Sequence, residues 1–340
     1  MGRIVAFGEI MMRLNPERYL RFVQADKFEA TYAGGEANVA VSLANFGMDA
    51  AFVTKVPANE IGQASVNELR RYGVDTGMIV RGGDRLGIYF VEKGASQRAS
   101  KVIYDRVGSA IAKAAAADFD WNKIFKGADW FHFTGITPAL GGDLPGICME
   151  ACQTAKKLGL TVSCDLNYRK KLWTREEAGL QMAKLMPYVD VCIANEEDAN
   201  DIFGIAAVDT DINSGKLSHA GYISVAKQLI ERFGFSKVAI TLRGSVSASD
   251  NDWAGMLYSN GEASFTQTYH IRIVDRVGGG DSFGGGLIYS LLSGYDDQKA
   301  IDFAVAASCL KHSVEHDFNM VSVSEVESLV GGNASGRVQR

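Results

Sequence analysis

The sequence has little of what marks several large classes of protein. Its five cysteines are Cys148, Cys152, Cys164, Cys192 and Cys309. Their number is odd and they form no CxxC pair, so they read as reduced thiols of a cytoplasmic protein rather than as a disulfide framework. Cys148 and Cys152 lie four apart, the spacing of one helix face, and read as a buried structural pair rather than a metal site. No apolar run approaches the ~18 residues that a membrane-crossing helix needs. The opening stretch MGRIVAFGEIMMRL is too short in its apolar run for a secretory leader, and Ala6 stands where an acylation motif needs Ser or Thr. A basic surplus is missing as well. The formal net charge is -5, which argues against nonspecific binding of nucleic acid and leaves any anionic ligand to local residues. HExxH does not occur, because Ser313 follows His312; His312 and His316 therefore read as non-metal residues. GxxxxGK[ST] is absent, and GxGxxG fails at Phe283.

What is present is ordinary globular composition, 47% hydrophobic and 22% charged. Apolar runs with strand character recur at 3–10, 50–57, 130–136, 161–167, 191–195 and 237–242. Helical periodicity fills 33–48, 61–74, 144–158, 175–187 and 221–233, with Gly47 ending the first of these helices. Such alternation predicts a mostly parallel sheet covered by helices on both faces, with ligands beyond the carboxyl ends of the strands. Two stretches break the rhythm. Residues 85–110 carry two β-rich runs around a polar turn, and residues 13–32 are extended and aromatic. Together they read as a small β lid on a single body spanning 1–330, with inserted segments at about 13–32 and 85–108. Residues 331–340, GGNASGRVQR, read as a disordered tail.

The most informative stretch is IVDRVGGGDSFGGGLIYSLLSG, 273–294. Glycine costs roughly 1 kcal/mol against alanine inside a helix, yet six crowd the start of one here. A helix N-terminus carries unpaired N–H groups and partial positive charge, and glycines let phosphate oxygens reach them. Gly278, Gly279 and Gly280 meet that need. Asp281 is paradoxical at a phosphate site unless it receives the proton of a hydroxyl that attacks the phosphate. The competing reading is that Asp281 is only an N-cap. A carboxylate of ordinary pKa, about 3.9, is ionised at neutral pH, so its contribution would be mainly alignment.

A second signal decides between them. AGGEANVAVSLANFG, 33–47, together with Asp275-Arg276-Val277-Gly278-Gly279-Gly280-Asp281 about 240 residues later, resembles the ribokinase-like (PfkB-type) carbohydrate kinases, over nearly the whole chain. The resemblance implies an αβα sandwich with a mostly parallel central sheet and a β lid over the sugar. It also implies ATP with Mg2+, Asp281 as catalytic base and residues 278–281 as the anion hole. RLGIYFVEKG, VIYDRVGSA, DLNYRKKLW and LKHSVEHDFNMVSV are most similar to the branch that phosphorylates 2-keto-3-deoxygluconate. On that resemblance Gly34, Gly35 and Asn38 meet sugar hydroxyls. Tyr89, Tyr104, Arg106 and Arg169 offer phenols and guanidiniums suited to a sugar acid's carboxylate, and Asp317 is the acid near the C-terminus that reaches the substrate. Without it, the tyrosines read as cross-strand aromatics and the arginines as surface charges.

The nucleotide side departs from the family pattern. Thr241, Arg243 and Gly244 stand where Thr-x-Gly-x-x-Gly is usual, and Asn195-Glu196-Glu197-Asp198 stands for Asn-x-x-Glu. Asn195, Thr241, Arg243 and Gly244 are the expected nucleotide contacts. Glu197 and Asp198 are expected near Mg2+ through water, and the resemblance suggests a monovalent cation such as K+ at Asp275. The expected activity is transfer of a phosphoryl group from ATP to the terminal hydroxyl of the sugar acid, by a homo-oligomer without nucleic-acid or membrane partners. Its rivals are a kinase for a neutral sugar such as fructose or ribose, and a sugar sensor without turnover.

Overall fold

A computed structural model of the chain describes residues 2–195, 197–206 and 219–333. Most of the expected tail, 334–340, and Glu196 lie outside the described residues.

A nine-stranded sheet runs through the centre. Its parallel part follows the spatial order Asp49–Val53, Arg3–Phe7, Trp130–Thr134, Thr161–Asp165, Val191–Ala194 and Lys237–Ser245. The opening strand shows why these segments are continuous apolar runs. Val5 and Phe7 enter the core on one face, with Phe131 and Phe133, while Ile4 enters the core on the other, with Trp130 and Ile193. Successive side chains point to opposite faces, and both faces are covered by helices. The helices fall where expected, with ends shifted by a few residues: Gly35–Asn45, Glu60–Arg71, Leu144–Lys157, Arg175–Leu185 and His219–Phe233. Gly47, at φ +85°, follows the end of the first. Cys148 and Cys152 are wholly buried on Leu144–Lys157 as free thiols.

The far edge of the sheet is antiparallel. Asp250–Ser259 pairs with Lys237–Ser245 and with both Glu262–Phe265 and Tyr269–Arg272. Separately, a four-stranded sheet has the order Glu29–Ala33, Met11–Asn15, Gly87–Glu92, Lys101–Asp105. It is made from the two segments that broke the α/β rhythm.

The glycine-rich segment forms the helix Gly279–Leu292, with Phe283, Leu287 and Ile288 fully buried. Each such side chain contributes about 1.5–3 kcal/mol. Gly284, Gly285 and Gly286 serve helix packing rather than a ligand. A Cβ on Gly285 would lie 2.7 Å from Ser42 Cβ, and one on Gly286 3.0 Å from Ala304 Cα. The helices Gly35–Asn45 and Asp297–Lys311 therefore press directly onto this one and fix where its N-terminus points.

Candidate active site

At the head of Gly279–Leu292 the chain turns through Gly278, which has φ +83° and holds the N-cap position. A Cβ there would fall 2.0 Å from the main-chain oxygen of Asp317, so conformation and space both require glycine. Because Gly278 is the N-cap, Asp281 is not. The Asp281 side chain turns instead to Asn38, whose Nδ2 donates to its Oδ2 at 2.6 Å. Asn38 is held in turn: its Oδ1 accepts from Gly34 N at 3.3 Å. Gly34 allows this close start because a Cβ there would lie 1.8 Å from Glu9 O. Glu36, two residues before Asn38 and buried, accepts from Thr134 N, Thr134 Oγ1 and Thr137 Oγ1, which anchors the helix to the central sheet.

These groups open on a cavity of about 470 Å³. Gly278, Gly279, Gly280, Asp281, Gly34, Gly35 and Asn38 line it, as do Tyr89, Tyr104, Arg106, Arg169 and Asp317. So do Asn195, Glu197, Asp198, Thr241 and Arg243. A larger hollow of about 970 Å³ adjoins it between Lys101–Asp105 and residues 168–175. The smaller cavity, not the larger, contains Asp281 and the glycine turn. Two of the expected residues are not on its wall. Gly244 sits within its strand opposite Asp252, and Asp275 lies behind the turn.

The Asp281 carboxyl is pushed up to about 7. Burial is the main cause, with the charges of Asp317 and Glu36 adding to it and the Asn38 bond and Arg169 opposing. This corrects the expectation of an ordinary, fully ionised aspartate. A base with a pKa near the working pH is better matched to proton transfer than one near 4.

The walls differ in character. On one side Tyr89 and Tyr104 face each other across adjacent strands with rings 5.9 Å apart, and the Arg106 guanidinium lies 4.3 Å from the Tyr104 ring centre. Arg106 is largely buried, with Nε 3.4 Å from Glu9 Oε2. The Tyr89 hydroxyl donates to Asp317 Oδ2 at 2.8 Å, and Asp317 Oδ1 accepts from Arg13 at 2.6 Å. Both Asp317 oxygens thus have protein partners. Arg13, fully buried, also pairs with Asp275 at 2.6 Å. On the other side stand Arg243 and Arg276. Burial lowers the Arg276 pKa, and the like charge of Arg243 adds to that, so two guanidiniums face one space and suit a polyphosphate. His312 packs against Trp253 and is held neutral, with its pKa lowered by burial to about 4 and its Nδ1 2.7 Å from Ser308 O. His316 lies beyond the end of that helix, at φ +64°, so the two histidines do not share a helix face.

At the floor, Asp198 accepts from Asn195 N and Tyr168 N, each at 3.2 Å, and Asn195 Oδ1 accepts from Glu197 N and Asp198 N. Asp198 thus closes a main-chain turn, while Glu197 reaches the cavity more openly. Asp165, which the sequence reading passed over, has its pKa raised by burial and then by Asp198 and Asp281. Arg13, Arg276 and Trp253 were missed too; only Arg276, inside the quoted motif, carried a local signal.

A crossing of glycine turn and acid at the carboxyl edge of a parallel sheet defines a phosphoryl-transfer enzyme of the α/β class. The model of the pfkB family of carbohydrate kinases matches residues 1–317, and the chain belongs to that family. It is similar to the 2-dehydro-3-deoxygalactonokinase of Haloferax volcanii, at 34% identity over 98% of each chain. The 2-dehydro-3-deoxygluconokinase of Thermoproteus tenax is 29% identical, over 97% of this chain and 94% of that one. Among solved structures, the 2-dehydro-3-deoxygluconokinase of Thermotoga maritima superposes with a TM-score of 0.94 at 52% identity, covering 97% and 98% of the two chains.

Proposed function

We propose that the chain transfers the terminal phosphoryl group of ATP to the terminal hydroxyl of 2-keto-3-deoxygluconate, giving the 6-phosphate and ADP. The observation that carries this is one cavity holding both Asp281, at its glycine turn, and the guanidiniums of Arg106 and Arg169. The sugar oxygen bonds to the γ-phosphorus as the bond to the β-phosphate oxygen breaks, and the hydroxyl proton passes to the Asp281 carboxylate. Asn38 aims that carboxylate. Amides of the 278–281 turn meet charge on the transferring group, and Arg243 and Arg276 hold the phosphate chain. Arg106, backed by Tyr104, and Arg169 bind the sugar acid's carboxylate, with Tyr89, Gly34 and Gly35 around its hydroxyls. The sheet carrying Tyr89 and Tyr104 acts as the lid, excluding water that would otherwise take the phosphoryl group.

Mg2+ neutralises phosphate oxygens when bound. Among the described residues no three His, Cys, Asp or Glu side chains converge to hold a metal. This supports an ion held mainly by phosphate and water oxygens, with Glu197 the carboxylate at hand. Exposed Ile103, Val107 and Val23 on and beside the lid sheet support a homo-oligomer joined there. No helix among the described residues is long and apolar enough to cross a membrane, and free thiols suit a cytoplasmic setting.

The test is a coupled ADP-release assay over a panel of sugar acids and neutral sugars. Turnover with 2-keto-3-deoxygluconate well above that with fructose or ribose is expected. Equal or better turnover of a neutral sugar refutes the acid assignment, and ATP consumption with none supports a sensor.

A further inference from the structure

Lys311 is fully buried at the end of the helix Asp297–Lys311, and the phosphate-binding role described above leaves it without a task. Its ammonium donates at 3.3 Å to the main-chain oxygens of Asp275 and of Val314. Burial draws its pKa down, while Asp275 and Asp317 pull it back up. A buried cation gripped by carbonyl dipoles is the chemistry by which proteins hold a desolvated monovalent ion. Here the cation is covalently attached. Its position is one of consequence, because Asp275 opens the turn that ends in Asp281. Asp275 Oδ1 accepts from Val277 N at 3.1 Å, the N–H of Val274 donates to His312 O at 2.8 Å, and Ser308 Oγ donates to Gly279 O at 2.6 Å. Residues 274–279 are thus laced to 308–314, with Lys311 at the centre of the lacing.

We propose that Lys311 is a built-in monovalent cation, a positioning residue that orders the anion-hole turn and gives it fixed positive charge, so that this kinase works without K+. The inference deepens the phosphoryl-transfer reading and rests on it. Arg13 is the wrong group for the task, since its guanidinium donates to the side-chain carboxylates of Asp317 and Asp275. Lys311 alone of the two addresses carbonyls, and a freely exchanging ion has to compete with it for the Asp275 oxygen.

The experiment compares KCl, NaCl and choline chloride at equal ionic strength. For the wild type, kcat is expected to be the same in all three, within about twofold. Lys311→Ala, which empties the ammonium's space, is expected to lose roughly 10- to 100-fold in kcat in choline, less than the ~10²–10³-fold cost of removing a direct contact to the reacting oxygens, because Lys311 acts through the turn. K+ or NH4+ should return much of that, and choline none. Lys311→Met fills the space without charge, so it should lose activity that no salt restores. Calorimetric binding of ATP in the same salts gives a readout independent of the sugar. K+ should strengthen it for Lys311→Ala and leave it unchanged for the wild type. This separates failure of the present inference from failure of the sugar assignment. A wild type that needs K+, a folded Lys311→Ala enzyme with undiminished kcat, or one that no small cation rescues in turnover or ATP binding overturns the proposal. Should Lys311→Ala not fold, the wild-type salt series and the ATP titrations still decide it.

Discussion

At the glycine turn the wall of the cavity is main chain, supplied by the consecutive residues Gly278 to Asp281 and backed by helices packed onto Gly285 and Gly286. At the lid sheet the wall is side chains. Tyr89 and Tyr104 come from two strands, Arg106 follows the second of them, and Arg13 and Asp317 behind them come from opposite ends of the chain. The first end suits a group that every phosphoryl donor shares. The second suits the part of a substrate that varies from one sugar to another. If this division is right, damage at the turn strikes the chemical step, and damage at the lid strikes choice of sugar or the fold.

The largest effect is expected at the turn. Asp281→Asn keeps the shape of the side chain but cannot accept the hydroxyl proton, and general-base loss costs ~10²–10⁴-fold. We expect kcat to fall by about 10³-fold while sugar affinity, read by calorimetry, changes little. Near-normal turnover would mean that the acid at the turn is not the base. Behind the lid, Arg13→Met leaves Asp275 and Asp317 without their buried partner. Breaking such a pair costs about 3–5 kcal/mol, which urea unfolding measures. A loss below about 1 kcal/mol would show that solvent reaches these carboxylates. At the substrate, Arg106→Leu removes a guanidinium from the cavity. The sugar acid's KM should rise about 10- to 100-fold, the value of a charged hydrogen bond, with activity on a neutral sugar spared. An equal loss on both would move Arg106 from recognition of the acid to support of Glu9.

The same contrast explains what the sequence made legible. The glycine turn is local, and its requirements fall on adjacent residues, so Gly278 and Asp281 stand out before any fold is known. Arg13 does not, because its partners lie 262 and 304 residues away. Asp165 reads as the end of an ordinary strand, and only the fold brings Asp198 and Asp281 close enough to raise its pKa. The stretch after Thr241 is illegible for another reason: its Ser, Asp and Asn are poor strand formers. The strand runs on to Ser245, turns at 246–249 and returns antiparallel as Asp250–Ser259, where one face can be polar, and this draws Gly244 into the sheet and away from the cavity. The alternating parallel core, by contrast, was written plainly in runs such as Arg3–Phe7, which must be apolar on both faces.

The last expected effect is one of stability, and it distinguishes the turn's buried acid from an ordinary one. The Asp281 carboxyl titrates at about 7 in the folded chain, against an ordinary value of 3.8. Between those values the folded state binds more protons than the unfolded state, so this group's contribution to stability declines as pH climbs from about 4 through about 7, and is level above. Asp281→Asn removes that burden. The variant should therefore match the wild type near pH 4 and exceed it at pH 8 by about 6 °C in Tm, roughly 4 kcal/mol set against the unfolding entropy of a chain of this size. Wild-type kcat/KM should rise with pH through the same interval, since only the ionised carboxyl accepts a proton. A Tm difference independent of pH, with activity already at its plateau by pH 5, would mean that the carboxyl ionises as it does in water and that the turn does not hold it in reserve.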